Sequence, residues 1–242
     1  MSIELKVEAL KKKLGSTLAL NDVSVHFFAG PIHGLIGPEG AGKTTLLRHL
    51  VGLLKADEGR IQYCQNGQFV DFESIRAKIA YMPQTQSLYG DLSIDEHLEF
   101  FRDIYGLDQR TYDEKKERLL QVTRLAPFLD RAASQLSGGM YKKLGLMCAM
   151  LASPDVILLD EPTNGVDPLS RREFWDLLYQ LHEEGILVLI TTAYMDEAER
   201  CGVVHLLNEG RIIGAGEPRK ILQKNGVKSF DEYFLLHAET FS

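Results

Sequence analysis

Gly37-Pro38-Glu39-Gly40-Ala41-Gly42-Lys43-Thr44 fits the pattern G-x-x-x-x-G-K-[S/T] at every fixed position. Residues 32–36 before it form a short apolar run typical of a buried strand, and residues 44–54 carry leucines at helical spacing. A glycine-rich loop between a strand and a helix lets backbone N–H groups surround phosphates at the positive end of the helix. The pattern therefore predicts a phosphate-binding loop, and its position disfavours an ordinary glycine-rich turn.

The residue types of this loop also predict how it is used. Lys43 is expected between the β- and γ-phosphates of ATP, and Thr44 is expected to offer its hydroxyl to Mg²⁺. We expect the nucleotide to be held by Gly37, Pro38, Glu39, Gly40, Ala41, Gly42, Lys43, Thr44 and Thr45.

A second motif is an apolar run at residues 156–159 that ends in Asp160 and Glu161. An apolar run of this kind is typical of a strand buried on both faces, and ligands bind at the carboxyl ends of such strands. We expect Asp160 to hold the Mg²⁺ shell and Glu161 to polarise an attacking water. The alternative, two solvated acids at a strand end, is weakened by the phosphate loop upstream.

The run Leu136-Ser137-Gly138-Gly139-Met140 precedes a segment with apolar residues on one helical face. Ser137 is a candidate N-cap, and the two glycines expose backbone N–H groups at the positive end of the helix. The sequence thus predicts a second anion site at Ser137, Gly138 and Gly139. Alone the pattern is weak, because many helices begin with serine and glycine.

Periodicity predicts an α/β fold with an added β part and an added helical part. Apolar residues alternate over the first 30 residues, which indicates antiparallel strands, and Asn66-Gly67 predicts a hairpin. Residues 93–131 read as helical, with Ser93 and Glu96 spaced as a capping box. After Pro154, strands and helices alternate, which is typical of a parallel sheet with helices on both faces.

One domain of 1–242 is expected, with four parts. Residues of about 1–30 and 57–80 form the antiparallel part, 31–56 and 154–216 the P-loop (RecA-like) core, about 85–150 an inserted helical part, and 217–242 a C-terminal tail.

Composition limits the class of protein. The chain has 242 residues, a net charge of −7 and a pI near 5.5, which argues against a mainly nucleic-acid-binding surface. The three cysteines lack a CxxC spacing and are expected to be reduced, buried thiols of a cytosolic protein. No secretory signal opens the chain, and no apolar run approaches the roughly 18 residues of a membrane span.

Taken in order, these motifs resemble the ATP-binding domain of ABC transporters. The resemblance covers residues from about 3 to 216 and includes Ala80-Tyr81-Met82-Pro83-Gln84 and Gly165-Val166-Asp167-Pro168. It implies that Gln84 contacts Mg²⁺ and water and reports to a membrane subunit, and that Asp167 lies in a loop crossing between two domains. It also implies that two domains close head to tail, so that Ser137 and Gly139 of one chain clamp ATP on the P-loop of the other.

Two shorter stretches, residues 167–172 and 196–199, resemble the corresponding segments of drug and polysaccharide exporters of the ABC-2 type. The resemblance implies a separate integral-membrane permease as partner, a second ATP-binding domain, no nucleic acid, and a place at the cytoplasmic face of the plasma membrane. The transported substrate, the choice between homodimer and heterodimer, and membership of a longer tandem protein stay open.

Four positions depart from the family pattern. Leu14 stands where an aromatic residue normally stacks on adenine, and Glu39 stands where a neutral polar residue is usual in the P-loop. Met140 replaces the signature glutamine, and its spacing to Leu144 and Met147 favours a core-facing side chain. Ala193 replaces the histidine that would contact the γ-phosphate and position Glu161, which predicts a rate reduced by about 10²–10³.

No other histidine is expected to substitute for the missing one. His182 and His205 lie in a helix and a strand away from the phosphate motifs and are interpreted as structural or solvated. The chain is therefore expected to be a slow but active ATPase. The alternatives are a weak or silent ATP-binding half of an asymmetric pair and a soluble ABC ATPase without a transport role.

Overall fold

The structure is a computed structural model and describes residues 3–85 and 87–238. The strands are β1 (Ile3–Leu14), β2 (Thr17–Phe28), β3 (His33–Ile36), β4 (Glu58–Gln65), β5 (Gln68–Val70), β6 (Ile79–Met82), β7 (Val156–Asp160), β8 (Leu187–Thr192), β9 (Val203–Asn208) and β10 (Arg211–Gly216). The α-helices are α1 (Lys43–Leu50), α2 (Phe72–Ile75), α3 (Ile94–Tyr105), α4 (Gln109–Thr123), α5 (Gly138–Leu151), α6 (Pro168–Glu183), α7 (Met195–Ala198), α8 (Pro218–Asn225) and α9 (Phe230–Ala238).

The N-terminal half contributes an antiparallel sheet in the order β2-β1-β4-β5. In β1, Ile3, Leu5 and Val7 are buried while the residues between them are partly exposed, which is the alternation expected of a sheet with one covered face. The predicted hairpin joins β4 to β5. Asn66 and Gly67 both adopt positive φ, 52° and 81°, as a type I′ turn requires.

The core is a six-stranded sheet in the order β10-β9-β3-β8-β7-β6. Its strands are parallel except for β10, which pairs antiparallel with β9. β3 lies between β9 and β8, and β7 lies next to β8. The carboxyl ends of β3 and β7 therefore lie at the same edge of the sheet, which brings the P-loop next to Asp160 and Glu161. The predicted α/β class, with a mostly parallel sheet and an antiparallel N-terminal sheet, is confirmed.

The helical part consists of α3, α4 and α5, packed around their own apolar cluster. The predicted capping box begins α3: Glu96 N donates to Ser93 Oγ over 3.2 Å, and Ser93 N donates to the Glu96 carboxylate over 2.7 Å. None of the helices described in 3–85 and 87–238 is long and apolar enough to span a bilayer. Cys64, Cys148 and Cys201 are buried and free, as expected.

Local sequence accounts for the bounds of two helices, and one of them differs from its predicted end. The helix expected over 44–54 ends at Leu50, because Gly52 takes a left-handed φ of 71° that terminates the helical hydrogen bonding. The helix after the acidic strand begins at Pro168, a residue suited to a first turn because it needs no N–H partner. α7 is a single turn.

A pair of buried histidines lies in the core sheet, His33 on β3 and His205 on β9. Their rings stack with centroids 5.5 Å apart, and His33 Nδ1 is 3.2 Å from His205 Nε2. Phe27 packs edge-on against both rings. Burial lowers the pKa of His33 to about 4 and that of His205 to about 3, and the neighbouring His33 adds to the shift of His205. His205 is thus structural, as predicted.

These shifts predict a pH-dependent stability. Below pH 6.5 the unfolded histidines take up protons, whereas the folded ones stay neutral until the pH reaches about 4 or 3. The contribution of the two neutral histidines to the free energy of unfolding is therefore complete above pH 6.5. It is lost as the pH falls, by about 1.4 kcal/mol per pH unit for each histidine. We expect urea unfolding between pH 7.5 and 5 to show this slope, and His205→Gln to reduce it by about 1.4 kcal/mol per pH unit. An unchanged slope in His205→Gln would contradict the assignment.

Candidate functional site

The P-loop connects β3 to α1, and two of its glycines lie where a side chain would clash with the backbone. A Cβ on Gly37 would lie 2.1 Å from the carbonyl oxygen of Leu207, and one on Gly42 would lie 2.5 Å from that of Ala19. Gly42, with φ of 108°, is also the N-cap of α1 and offers no side-chain acceptor. The N–H groups of the first helical turn are therefore available to a bound anion.

Lys43 is buried at the start of α1 and holds the loop together. Its Nζ donates to the carbonyl oxygens of Gly37 and Pro38 over 2.8 and 3.0 Å. The same Nζ lies 3.1 Å from Glu161 Oε1. The ammonium group thus lies between the loop and the acidic strand end, where a phosphate held by the loop N–H groups could contact it.

Asp160 is fully buried and accepts hydrogen bonds from three hydroxyl groups. Oδ1 accepts from Thr44 Oγ1 over 3.1 Å and from Thr191 Oγ1 over 2.7 Å, and Oδ2 accepts from Tyr81 Oη over 3.1 Å. Burial, together with the Asp160 charge, raises the pKa of Tyr81 to about 12, so its hydroxyl remains a donor. The adjacent oxygens of Thr44 and Asp160 are hard ligands of the kind Mg²⁺ prefers, so these residues fit the ion.

Glu161 lies at the meeting point of the predicted catalytic residues. Its Oε2 accepts from Gln84 Nε2 over 2.8 Å and from Asn164 Nδ2 over 3.2 Å, while Oε1 faces Lys43. Its backbone has a φ of 45°, rare for a residue with a side chain, and is held by a 2.9 Å bond from its N–H to Thr191 Oγ1. Strained backbone of this kind is concentrated at functional sites.

A cleft of about 520 Å³ opens over the P-loop. Leu14 and Glu39, two of the departures from the family pattern, lie on its wall, and both are exposed. Two residues that sequence reasoning missed also line it, Thr17 and Ala19 on β2. Of the predicted site residues, the cleft is lined by Glu39, Gly40, Ala41, Gly42, Lys43, Thr44, Thr45, Gln84 and Glu161.

The signature residues lie outside this cleft in the described chain. Ser137 caps α5 by accepting from Met140 N over 3.3 Å, as predicted. Gly139 is buried, and a Cβ there would lie 2.5 Å from Ser170 Cβ, so this glycine is also required by packing against α6. Met140 packs against the apolar cluster of the helical part, in agreement with its predicted core-facing orientation.

Asp167 also lies outside the cleft and caps α6. Its Oδ1 accepts from the N–H groups of Leu169 and Ser170 over 3.1 and 3.0 Å. Hydrogen bonding by Ser170 is the main cause that lowers the pKa of Asp167. A single chain therefore presents two separate groups of predicted site residues, the P-loop group and the group of Ser137, Gly138, Gly139 and Asp167.

The chain is similar to known proteins of one family. The family model for ABC transporters matches residues 20–164. The probable multidrug ABC transporter ATP-binding protein YbhF of Escherichia coli K12 is 44% identical over 209 residues, which cover 86% of this chain and 36% of YbhF. The chain thus spans about a third of that relative's length.

Two other similar proteins are matched over a larger share of their own length. The Nod factor export ATP-binding protein I of Ralstonia nicotianae is 36% identical, over 90% of this chain and 68% of that protein. MJ0796, a bacterial ABC transporter cassette solved as a dimer, matches with a TM-score of 0.76 and 25% identity, over 88% of this chain and 98% of MJ0796. The chain belongs to the ABC transporter family, as an ATP-binding domain.

Proposed function

We propose that this chain binds ATP with Mg²⁺, hydrolyses it, and drives an exporter in a membrane through ATP-dependent dimer closure. The observation that carries the proposal is the convergence of Lys43 and Gln84 on Glu161, next to the P-loop. In phosphoryl transfer to water the protein contributes positioning and charge, and these three side chains supply both.

Each residue has a distinct role in the proposed reaction. Lys43 would contact the β- and γ-phosphates, and the γ-phosphate would replace Glu161 as the partner of its ammonium group. Glu161, freed from that ion pair, would accept a proton from the attacking water. Thr44, Asp160 and Gln84 would hold Mg²⁺, which neutralises phosphate charge when it is bound.

The two groups of site residues support a dimer. Ser137, Gly138 and Gly139 lie at the start of α5, outside the chain's own P-loop cleft, so one chain cannot use both groups on one ATP without a large rearrangement. A head-to-tail partner would bring its α5 to this P-loop, with the Asp167 loops crossing between the chains. That MJ0796, a similar cassette, was solved as a dimer supports the pairing of two such chains.

Gln84 offers a route from the site to a permease at the cytoplasmic face of a plasma membrane. Its side chain contacts Glu161, and its carbonyl oxygen accepts from Lys142 on α5 over 3.2 Å. A change at Glu161 would therefore reach the helical part through one residue. Export is favoured because the Nod factor relative is described as an export protein and YbhF as a multidrug transporter.

Ala193 supports a second candidate function, a weak or silent half of an asymmetric pair. Among the described residues 3–85 and 87–238, no histidine lines the P-loop cleft, so the contact to the γ-phosphate expected from the family pattern has no replacement among them. Asp160 and Glu161 are both present and accept hydrogen bonds from neighbouring side chains, which favours slow hydrolysis over a silent site.

Steady-state ATP hydrolysis by the purified chain, measured with Mg²⁺ at several protein concentrations, tests the proposal. Because two chains form each site, we expect the activity per chain to rise with concentration and then saturate. Activity absent at every concentration, with ATP still bound, would contradict the proposal and favour the silent half.

A further inference from the structure

The segment that follows β8 contains a tyrosine that reaches Glu161 through one other residue. Ala193 stands at the histidine position and cannot hydrogen-bond through its side chain. The next residue, Tyr194, donates from Oη to Asn164 Oδ1 over 3.2 Å. Asn164 Nδ2 then donates to Glu161 Oε2 over 3.2 Å.

Tyr194 is fixed by its own contacts. Its backbone N–H donates to Thr192 Oγ1 over 3.0 Å, which sets the chain direction at the end of β8. The Arg171 guanidinium lies over its ring, 4.4 Å from the centroid. Arg171 is in turn 3.4 Å from Asp196 Oδ2. The hydroxyl is therefore presented from a held ring, and its position does not depend on Asn164.

Two hydrogen bonds hold the Asn164 amide in one orientation, one to Glu161 and one from Tyr194. Because the Glu161 carboxylate can only accept, the NH₂ group of Asn164 points at it, and Oδ1 then faces Tyr194 and accepts from its hydroxyl. The opposite orientation would place the amide oxygen against the carboxylate and leave the tyrosine hydroxyl facing NH₂. Without the hydroxyl, one of the two bonds that anchor the amide is lost, and the amide is freer to move away from Glu161.

We propose that Tyr194 and Asn164 are positioning residues that orient Glu161 in place of the absent histidine. The proposal rests on the proposed hydrolytic function. Tyr194 and Asn164 take over only one of the two roles of the histidine. Their hydrogen bonds hold Glu161, but they make no contact with the γ-phosphate. Because the γ-phosphate contact is missing, hydrolysis should be slow.

The test compares Tyr194→Phe with the matched control Tyr179→Phe. Both remove one hydroxyl and keep a ring, but Tyr179 Oη donates to the carbonyl oxygen of Arg200, and neither residue is among those that line the P-loop cleft. We expect single-turnover Mg-ATP hydrolysis to slow by about 5–10-fold in Tyr194→Phe, the effect of one lost hydrogen bond, with ATP affinity unchanged. Tyr179→Phe should match the unchanged chain in both measurements.

Two further variants separate positioning from a general structural defect. In an Ala193→His background a histidine is available to hold Glu161, so Tyr194→Phe should then have little effect on the rate. In an Asn164→Ala background the connection is already broken, and Tyr194→Phe should add no further loss. A merely structural role for Tyr194 would produce the same loss in all three backgrounds.

The outcomes distinguish this inference from the function on which it rests. If the unchanged chain hydrolyses ATP faster than Glu161→Gln while Tyr194→Phe is as fast as the unchanged chain, the positioning role is overturned and the ATPase function stands. If the unchanged chain is no faster than Glu161→Gln, both are overturned.

Discussion

Lys43→Ala should bind ATP about 10²–10³-fold more weakly than the unchanged chain, because a buried cation that faces the phosphates is removed. The helix N-terminus and the loop N–H groups remain, so weak binding persists. Titration with a fluorescent ATP analogue measures the loss. Lys220→Ala is the matched control, since Lys220 pairs with Glu217 on the exposed side of α8. A loss of less than about tenfold would contradict the role given to Lys43.

The same variant should also lose stability in the absence of nucleotide. Lys43 and Glu161 are both buried and lie 3.1 Å apart, so alanine leaves the Glu161 carboxylate without its cation. Breaking a buried pair by removing one partner costs about 3–5 kcal/mol, of which urea unfolding gives a direct measure. Since domains of this size are typically stable by about 5–15 kcal/mol, the variant should remain folded for the binding measurement.

Glu161→Gln should lower the turnover rate by about 10²–10⁴ while ATP stays bound, because an amide cannot accept the proton of the attacking water. Glutamine keeps the size of the side chain, and its oxygen can still accept from Gln84. Removing the carboxylate also frees Lys43 for the phosphates, so affinity should not fall. Rapid-quench measurement of phosphate release gives the rate, with Glu217→Gln as a control outside the site. A variant that retains most of its turnover would show that another group activates the water.

Much of the fold could be predicted from local signals that have a physical cause. Asn66-Gly67 requires positive φ at both positions, and only a few residue pairs tolerate this, so the hairpin was clear from the sequence. The capping box of Ser93 and Glu96 marks the start of α3 for a similar reason. The predicted end of α1 was wrong because leucines continue at helical spacing past Leu50. The left-handed backbone of Gly52 ends the helix before them.

The motif residues of the site were also predicted, because each motif is continuous along the chain. The side chains that hydrogen-bond to these motif residues were not predicted. Tyr81 and Thr191 contact Asp160 from strands 79 and 31 residues away, and no periodicity reports which side chain will face another across a sheet. The contact of Tyr194 with Asn164 is of the same kind, across 30 residues. Such contacts depend on how elements pack, which a single sequence does not state.

The mass of the Glu161→Gln variant in solution shows whether ATP closes a dimer. Without hydrolysis, ATP should hold two chains together at their P-loops and signature residues. Light scattering after gel filtration should then give twice the chain mass of 27.2 kDa with ATP and Mg²⁺, and the single-chain mass without nucleotide. A variant that binds ATP and still has a mass of 27.2 kDa at every concentration would show that ATP does not close a dimer of this chain.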